Sequence, residues 1–438
     1  MLLIKNGTIL TLGCECKVLN DHAILIDGNI IKACSPLNLI DTSKVTKVID
    51  AKNSVVMPGL INAHMHFYSS FARGFWKVAP SKNFVEVLEN LWWKLDRGLT
   101  REMNHLSALV ACLEAVEHGT TTIIDHHASP NAITGSLTEI ANAVKITGLS
   151  SSLCYEVSDR DGIEKALEGI EENIRFSKEA KASDSFHSMM GLHASFTLGD
   201  ETLKKSVEAA NKAKIGFHVH CAEDLADQQH SISTHKMRVV ERFSKFGILG
   251  EDTILAHAVH LDQKELELVG KSKTNVVINS QSNMNNAVGV SDVFSKIKNR
   301  IIVGMGTDAM TNNMLEELRA GMWIQKLNSK NPSVGFMEIT DSLFNKNRVI
   351  ANKFWKIPRG EIAVGALADI IIRDYTPYTP LTRDTVLGHL VFGISQSKVR
   401  TTIASGKVLM EDFSHSFKDV EKIAKEARVL AEQLWSRI

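Results

Sequence analysis

The chain has 438 residues, with 50 Lys+Arg balanced by 50 Asp+Glu, 44% apolar residues, 6 Cys and 17 His. A chain of this length buries roughly 70–75% of its extended surface on folding, so its core needs no special staple. Zero formal charge without a Lys/Arg-rich tract supplies no electrostatic footprint for nucleic acid or an anionic membrane surface. The expected partner is a small molecule, with no nucleic acid and no membrane involved.

The cysteines (Cys14, Cys16, Cys34, Cys112, Cys154, Cys221) are scattered without a C-x-x-C, which fits reduced thiols in a cytosol rather than a disulfide framework. Cys14-x-Cys16 reads as a turn with two small side chains rather than as a metal site. The apolar start Met1-Leu2-Leu3-Ile4 is too short for a signal segment, and no run of about 18 apolar residues is present. A soluble, cytoplasmic protein is expected.

In chain order, residues 1–57 read as short strands with turn signals: Ile9 to Leu12, Ala23 to Ile26, a turn at Asp27-Gly28, Ile30 to Ala33, and Val48 to Val56. A different rhythm follows over 58–360, where apolar runs alternate with helical stretches such as Asn104 to Glu117 and Glu201 to Ala213. Eight such runs can be read: Val55 to His66, Thr120 to Asp125, Leu149 to Tyr155, Ser188 to His193, Ile215 to His220, Thr253 to His257, Asn275 to Asn279 and Arg300 to Val303. Eight strands alternating with helices predict an α/β chain with a (β/α)8 barrel. Periodicity alone does not separate this from an open doubly wound sheet. The polar residues do: almost every run ends in His, Asp, Glu or Asn, as expected of a site at the C-terminal mouth of a barrel. Over 361–413 the strands return (Ala368 to Arg373, Val399 to Ala404, Lys407 to Glu411), so both termini contribute to one composite β-sandwich. The region 414–438 closes with a helix over Lys418 to Ile438, whose apolar stripe is Ile423, Ala427, Leu430 and Leu434.

Four strand ends carry the chemistry. In Pro58-Gly-Leu-Ile-Asn-Ala-His64-Met-His66, residues two apart on a strand face the same side, so both imidazoles can point at one ion. The others are Phe217-His218-Val-His220-Cys-Ala-Glu223, Leu255-Ala-His257-Ala-Val-His260 and Gly306-Thr307-Asp308. Two His from the first strand, one from the fifth and an Asp from the eighth form an N/O ligand set suited to Zn2+ or Fe2+ with one position left for water. Such an ion lowers the pKa of bound water to about 7. Glu223, three residues beyond His220, is placed to shuttle a proton without ligating. Taken alone, Asp308 reads as a helix N-cap, and His218 and His220 share a face, so the pattern leaves open which of the two ligates. His105, His118, His230, His235, His389 and His415 sit in helix or loop contexts and are expected to be solvated.

These motifs resemble the amidohydrolase superfamily in its cytosine deaminase and s-triazine hydrolase branch. Asn90-Leu-Trp92-Trp93-Lys-Leu-Asp-Arg97, Asp125-His126-His127-Ala-Ser-Pro130, Glu171-Glu-Asn-Ile-Arg-Phe176 and Ser282-Asn283-Met-Asn-Asn286 further resemble the SsnA-type aminohydrolases. The resemblance spans essentially the whole chain and implies the barrel plus composite sandwich. Residue by residue it implies His64, His66, His220 and Asp308 as metal ligands and Glu223 as the acid/base. It selects His257 over His260 as the residue that, with Asp308, manages the proton of the water. Binuclear relatives bridge two metals with a carboxylated Lys at the end of strand four, where this chain reads Ser188-Met-Met-Gly-Leu-His193, so a single divalent ion is expected, zinc ahead of iron. His193 matches a substrate-contacting histidine, and Trp92 and Trp93 can stack on a planar ring or simply pack a helix on the barrel. Asp125, His126 and Asn283 are further candidate substrate contacts, with one side chain of Asp125-His126-His127 expected to face the pocket. Ile278 stands where many relatives carry a His.

The resulting expectation is hydrolytic deamination of an amino-substituted, purine-like nitrogen heterocycle: Glu223 protonates a ring nitrogen while activated water adds to the amino-bearing carbon, and ammonia leaves. The alternatives are dechlorination or cyclic-amide opening with the same water activation, and a catalytically silent metal- or ligand-binding barrel. Dimers are common in the family, so a homodimer is an accompanying expectation.

Overall fold

The structure is a computed structural model that describes residues 1–438 except Cys14; the Cys14-x-Cys16 turn thus falls outside the described residues. The central body is built from parallel strands: β1 Leu60–Met65, β2 Thr120–Asp125, β3 Ser150–Leu153, β4 in two parts Phe186–Ser188 and Met190–Leu192, β5 Phe217–Cys221, β6 Ile254–His257, β7 Asn275–Ile278 and β8 Val303–Met305. They form two parallel arcs, β1 to the first part of β4 and the second part of β4 to β8. Hydrogen bonds join the arcs at both seams. At one, Thr307 N and Asp308 N donate to His64 O at 2.9 and 3.0 Å. At the other, Val157 N donates to Gly191 O at 3.1 Å and His193 N to Val157 O at 2.9 Å. The arcs thereby complete the eight-position ring of a (β/α)8 barrel.

The helix Arg101–His118 illustrates how the sequence forms the outer layer. Thr100 caps its start by accepting from Met103 N, and Gly119, at φ 79°, ends it in the left-handed region that favours glycine. Between these signals Met103, Leu106, Leu109, Cys112, Leu113 and Val116 are buried, so one face closes the core shared with the barrel.

Three strand assignments in particular differ from the sequence expectation. Val48 to Val56 is not one strand: Lys47–Asp50 and Val55–Pro58 lie in different sheets. Asp50 Oδ1 accepts from Lys52 N at 2.8 Å, and Lys52 and Asn53 both have positive φ, so the chain reverses between two β-prone runs. The run to His66 divides at Gly59, where the pairing partner changes: Gly59 N donates to Asp369 O and Leu60 N to Gly119 O, so that Val55–Pro58 enters the sandwich and Leu60–Met65 the barrel. The eighth strand begins at Val303 rather than Arg300, because Arg300 sits at φ 60° and Ile301 N closes the preceding helix onto Lys296 O.

The sandwich holds Leu2–Lys5, a strand missing from the sequence expectation, between His22–Asp27 and Lys47–Asp50. Its second sheet pairs Val55–Pro58 antiparallel with Ile370–Arg373, which ties the two chain ends together, and continues to Ser414–His415, one strand past the expected boundary at 413. Ile4, Ile24, Ile26, Ile370, Ile372 and Ile403 form its core. The closing helix, Val420–Arg437, buries Ala427, Leu430 and Leu434, and Trp435 Nε1 donates to Phe71 O at 2.8 Å. No helix among the described residues is long and apolar enough to cross a membrane.

Candidate active site and metal centre

At the C-terminal mouth of the barrel, His64, His66, His220, Glu223, His257 and Asp308 come together, all buried. Three backbone turns concentrate there: Ala222 at φ 45°, His257 at 68° with Ala258 at 50°, and Asp308 at 53°. Non-glycine residues in the left-handed region carry strain that the surrounding structure must hold, and such residues cluster at functional sites.

Each histidine is oriented by its Nδ1. That of His66 donates to His126 O and that of His220 to His193 O at 3.1 Å, while His64 Nδ1 pairs with His218 Nε2 at 2.9 Å. With Nδ1 committed to carbonyl oxygens, the Nε2 atoms of His66 and His220 present lone pairs, and they face each other at 3.3 Å. His64 Nε2 is buried without a hydrogen-bond partner. Asp308 Oδ1 lies 3.0 Å from His66 Nε2 and 3.9 Å from His64 Nε2. Buried lone pairs converging beside a carboxylate are favourable only around a cation. The titration pattern agrees. Burial and neighbouring imidazoles hold His64 and His220 well below the ordinary range. His66 is opposed by burial, yet Asp308 pushes it up to about 9, so this point draws positive charge as a proton or as a divalent ion. The residues fit such an ion, which His64, His66, His220 and Asp308 could hold: His64, His66 and Asp308 converge as one group, and His64 and His220 share another with His257.

Glu223 and His257 flank that centre. His257 Nε2 is 3.5 Å from Glu223 Oε2 and 3.6 Å from Asp308 Oδ2, and His257 Nδ1 donates to Asn283 Oδ1 at 2.8 Å. The imidazole therefore presents an acceptor between two carboxylates. Burial pushes Glu223 up to about 7, against the pull of His257, so it can hold a proton near neutrality. Asp308 stays below the carboxylate range despite burial, because the His66 imidazole lies against it, His257 lies beside it and Ser282 donates to it.

The model of the amidohydrolase family matches residues 55–409. The chain belongs to this family. Across its whole length this amidohydrolase is 30% identical to 5'-deoxyadenosine deaminase of Methanosarcina barkeri, covering 99% of that relative. It is 30% identical to 5-methylthioadenosine/S-adenosylhomocysteine deaminase of Caldanaerobacter subterraneus, over 99% of this chain and 98% of the relative. Among solved structures, an adenosine deaminase from Xanthomonas campestris with bound zinc superposes with a TM-score of 0.87 at 19% identity, covering 99% of this chain and 98% of the other. A variant of the atrazine chlorohydrolase TrzN from Arthrobacter aurescens, complexed with zinc and atraton, gives 0.84 at 19% identity over 98% and 100%.

The cavity of this amidohydrolase is walled by His66, His220, Glu223 and Asp308 of the centre and by Tyr68, Trp92, Trp93, His193 and Phe196. Trp92 and Trp93 both line it although adjacent in sequence, at the end of a single π turn over Leu88–Trp92. His193 Nδ1 bonds Thr197 Oγ1 at 2.6 Å, and burial lowers the ring to about 4.

The other expected contacts stand behind the wall. Asp125 Oδ1 accepts from Phe67 N at 2.7 Å. His126 has an acceptor at each ring nitrogen, His218 O at 3.1 Å and Glu156 Oε2 at 3.2 Å. His127 bonds Ser129, and Asn283 orients His257. None of these four lines the cavity, since His66, His220 and His257 occupy the space in front of them. His218 and His220 turn out to be one ring behind and one ring in the centre, and His260 turns away to Val288 O at 2.7 Å. Ile278 is buried off the cavity wall. Of the six histidines expected in solvent, only His230 is exposed: His389 is buried and bonded to Tyr375 at 2.7 Å, while His105, His118, His235 and His415 are half-buried, His415 against Glu117 at 2.9 Å. Glu156 lines the cavity and was missed. It follows Tyr155 at the end of the third apolar run, so its signal was the strand-end carboxylate already read elsewhere.

Proposed function

We propose that the chain is a metal-dependent aminohydrolase that hydrolytically deaminates an amino-substituted, purine-like heterocycle, of the SsnA type suggested by its motifs, in the cytoplasm and in purine metabolism. The observation that carries this reading is the convergence of Glu223 and His257 on Asp308 beside three imidazoles. The names of the relatives, deaminases acting on adenosine derivatives, support the same reaction class. Zinc is the proposed ion, on the N/O donor set and the zinc of the structural neighbours. Bound there, the ion supplies Lewis-acid activation of a water at neutral pH.

The chain's own residues supply the rest. Glu223, carrying a proton near pH 7, donates it to the ring nitrogen beside the amino-bearing carbon as water adds to that carbon. His257 Nε2 and Asp308 Oδ2 accept the proton that water releases. Glu223, now a carboxylate, takes the remaining hydroxyl proton of the adduct and passes it to the amino group, the C–N bond breaks to release ammonia and leave a carbonyl, and the proton held by His257 and Asp308 returns to Glu223. Trp92, Trp93 and Phe196 exclude water and offer flat faces to the ring. We further propose that the protein works as a homodimer, as its family resemblance suggests.

Ammonia release by zinc-loaded protein across guanine, 8-oxoguanine, adenine, cytosine, pterins, ureides and their nucleosides tests the reading. Turnover of a purine-like member supports it. Chloride release from a chlorotriazine or opening of a cyclic amide, without ammonia from the panel, would replace it. Protein that retains zinc and binds these compounds without turnover would make it a silent binding barrel.

A further inference from the structure

Glu156 has no role in the chemistry above, yet its carboxylate is 6% exposed and lines the cavity. Its Oε2 faces His126 Nδ1 at 3.2 Å, and its Oε1 lies 3.9 Å from His193 Nε2. That second distance is too long for a hydrogen bond. The tautomer of His193 decides what faces that oxygen. Thr197 Oγ1 lies 3.2 Å from Ala194 O and 2.6 Å from His193 Nδ1, and with its proton directed to Ala194 O it accepts from His193 Nδ1. A neutral imidazole with its proton on Nδ1 has a bare lone pair on Nε2. In that tautomer His193 Nε2 and Glu156 Oε1 are two acceptors side by side on the wall of the same cavity.

The remainder of that wall has the same bias. It carries the carboxylates of Asp96, Glu156, Glu223, Asp224, Asp227 and Asp308 and, among the described residues, no Lys or Arg. The guanidinium behind it, Arg160, is held by both oxygens of Asp96 and lies over the Trp93 ring at 5.5 Å. Apart from the metal centre, an anionic group would find no cationic side chain on this wall.

We propose that Glu156 and His193 form an acceptor pair that selects, among neutral amino-heterocycles, those presenting two adjacent hydrogen-bond donors. The inference rests on the deaminase reading and names the substrate feature which that site recognises. Two chemical sources carry it: a ring N–H next to an exocyclic amine, and the cis-diol of a ribose. A buried acceptor pair left unmatched costs its full desolvation, so a substrate lacking the donors is rejected strongly.

The experiment compares kcat/KM of zinc-loaded enzyme on two matched pairs, guanine against 2-aminopurine and adenosine against 2',3'-dideoxyadenosine. One pair is expected to show a preference of roughly 100-fold or more for the donor-bearing member, and the pair that does so identifies the source. Glu156→Gln, which replaces one carboxylate oxygen by an amide donor, is expected to reduce that ratio to less than about 10-fold with zinc content retained. Thr197→Val, which frees the His193 tautomer, is expected to reduce it as well, and it carries the test if the Gln variant fails to fold. No discrimination in either pair, or a ratio unchanged in the variants, overturns the proposal. If no compound releases ammonia, the deaminase reading fails by itself. The same pairs are then compared by calorimetric binding to zinc-loaded wild type and variants, where equal affinity within both pairs overturns the acceptor pair and a preference abolished by the variants sustains it.

Discussion

The Nε2 atoms of His66 and His220 lie 3.3 Å apart, each on an imidazole whose Nδ1 faces a backbone carbonyl oxygen. Two neutral rings held this way repel through their lone pairs unless a cation lies between them. Wild-type protein purified with zinc is therefore expected to retain one ion per chain by elemental analysis. His220→Ala should lose it, and prolonged chelation of the wild type should remove activity that added zinc restores. Full activity in thoroughly metal-depleted protein would refute the assignment.

Glu223→Gln preserves the volume and the contact with Asn286 while removing the transferable proton. Turnover is expected to fall roughly 100-fold or more, the usual worth of positioned acid/base catalysis, with metal content unchanged. A variant retaining a tenth of the activity would assign the proton transfer to another group.

Asn283→Ala leaves His257 Nδ1–H without its acceptor, and the ring loses the contact that aims Nε2 between Glu223 and Asp308. The expected outcome is a roughly 10- to 100-fold lower kcat with metal content retained. A change confined to KM would mean that Asn283 acts on substrate binding instead.

Gly306 stands where β8 closes against β1. A Cβ there would lie 2.6 Å from His64 O and 2.7 Å from Asn279 Oδ1, and backbone on one side leaves little room to give. Gly306→Ala is expected to cost about 1–3 kcal/mol of stability and, because it displaces His64 and Asp308 together, to weaken zinc retention. Thermal unfolding and metal content measured on one preparation check both.

Glu317 is fully buried and accepts from the backbone N–H groups of Ser280 and Gln281, but burial pushes it up to about 7 from an ordinary 4.5. Between those values the native state holds a proton that the unfolded chain has released, so stability falls as pH rises through that window. This contribution, on the order of a few kcal/mol, is absent from Glu317→Gln. Denaturant unfolding across that window should show a flatter pH profile in the variant; identical profiles would show that Glu317 does not titrate there.

Much of the barrel was legible because its signal is local. Thr120–Asp125 runs over the expected residues, and the helices at Arg101–His118 and Asp200–Ala213 carry their stripe and end signals within a few turns of chain. The errors came where local propensity was overruled. The Val48 to Val56 run is β-prone throughout, yet the Asp50 turn and pairing with Ile370–Arg373, more than 300 residues away, assign its halves to separate sheets. Leu2–Lys5 is a strand only because two neighbours, one from each side of the first sheet, pair with it.

By itself, the sequence determined which chemical groups stand at the strand ends, and hence the candidate donors and, through the resemblance they carry, the expected class of reaction. Alternation on a strand makes His64 and His66 share a face whatever the rest of the chain does. Only the tertiary structure decided which of His218 and His220 enters the centre, why Asp125, His126 and Asn283 stand behind it, and that Glu156 faces the cavity. Those outcomes depend on contacts between strands far apart in the chain, where the space already filled by His66, His220 and His257 leaves the other side chains a supporting place.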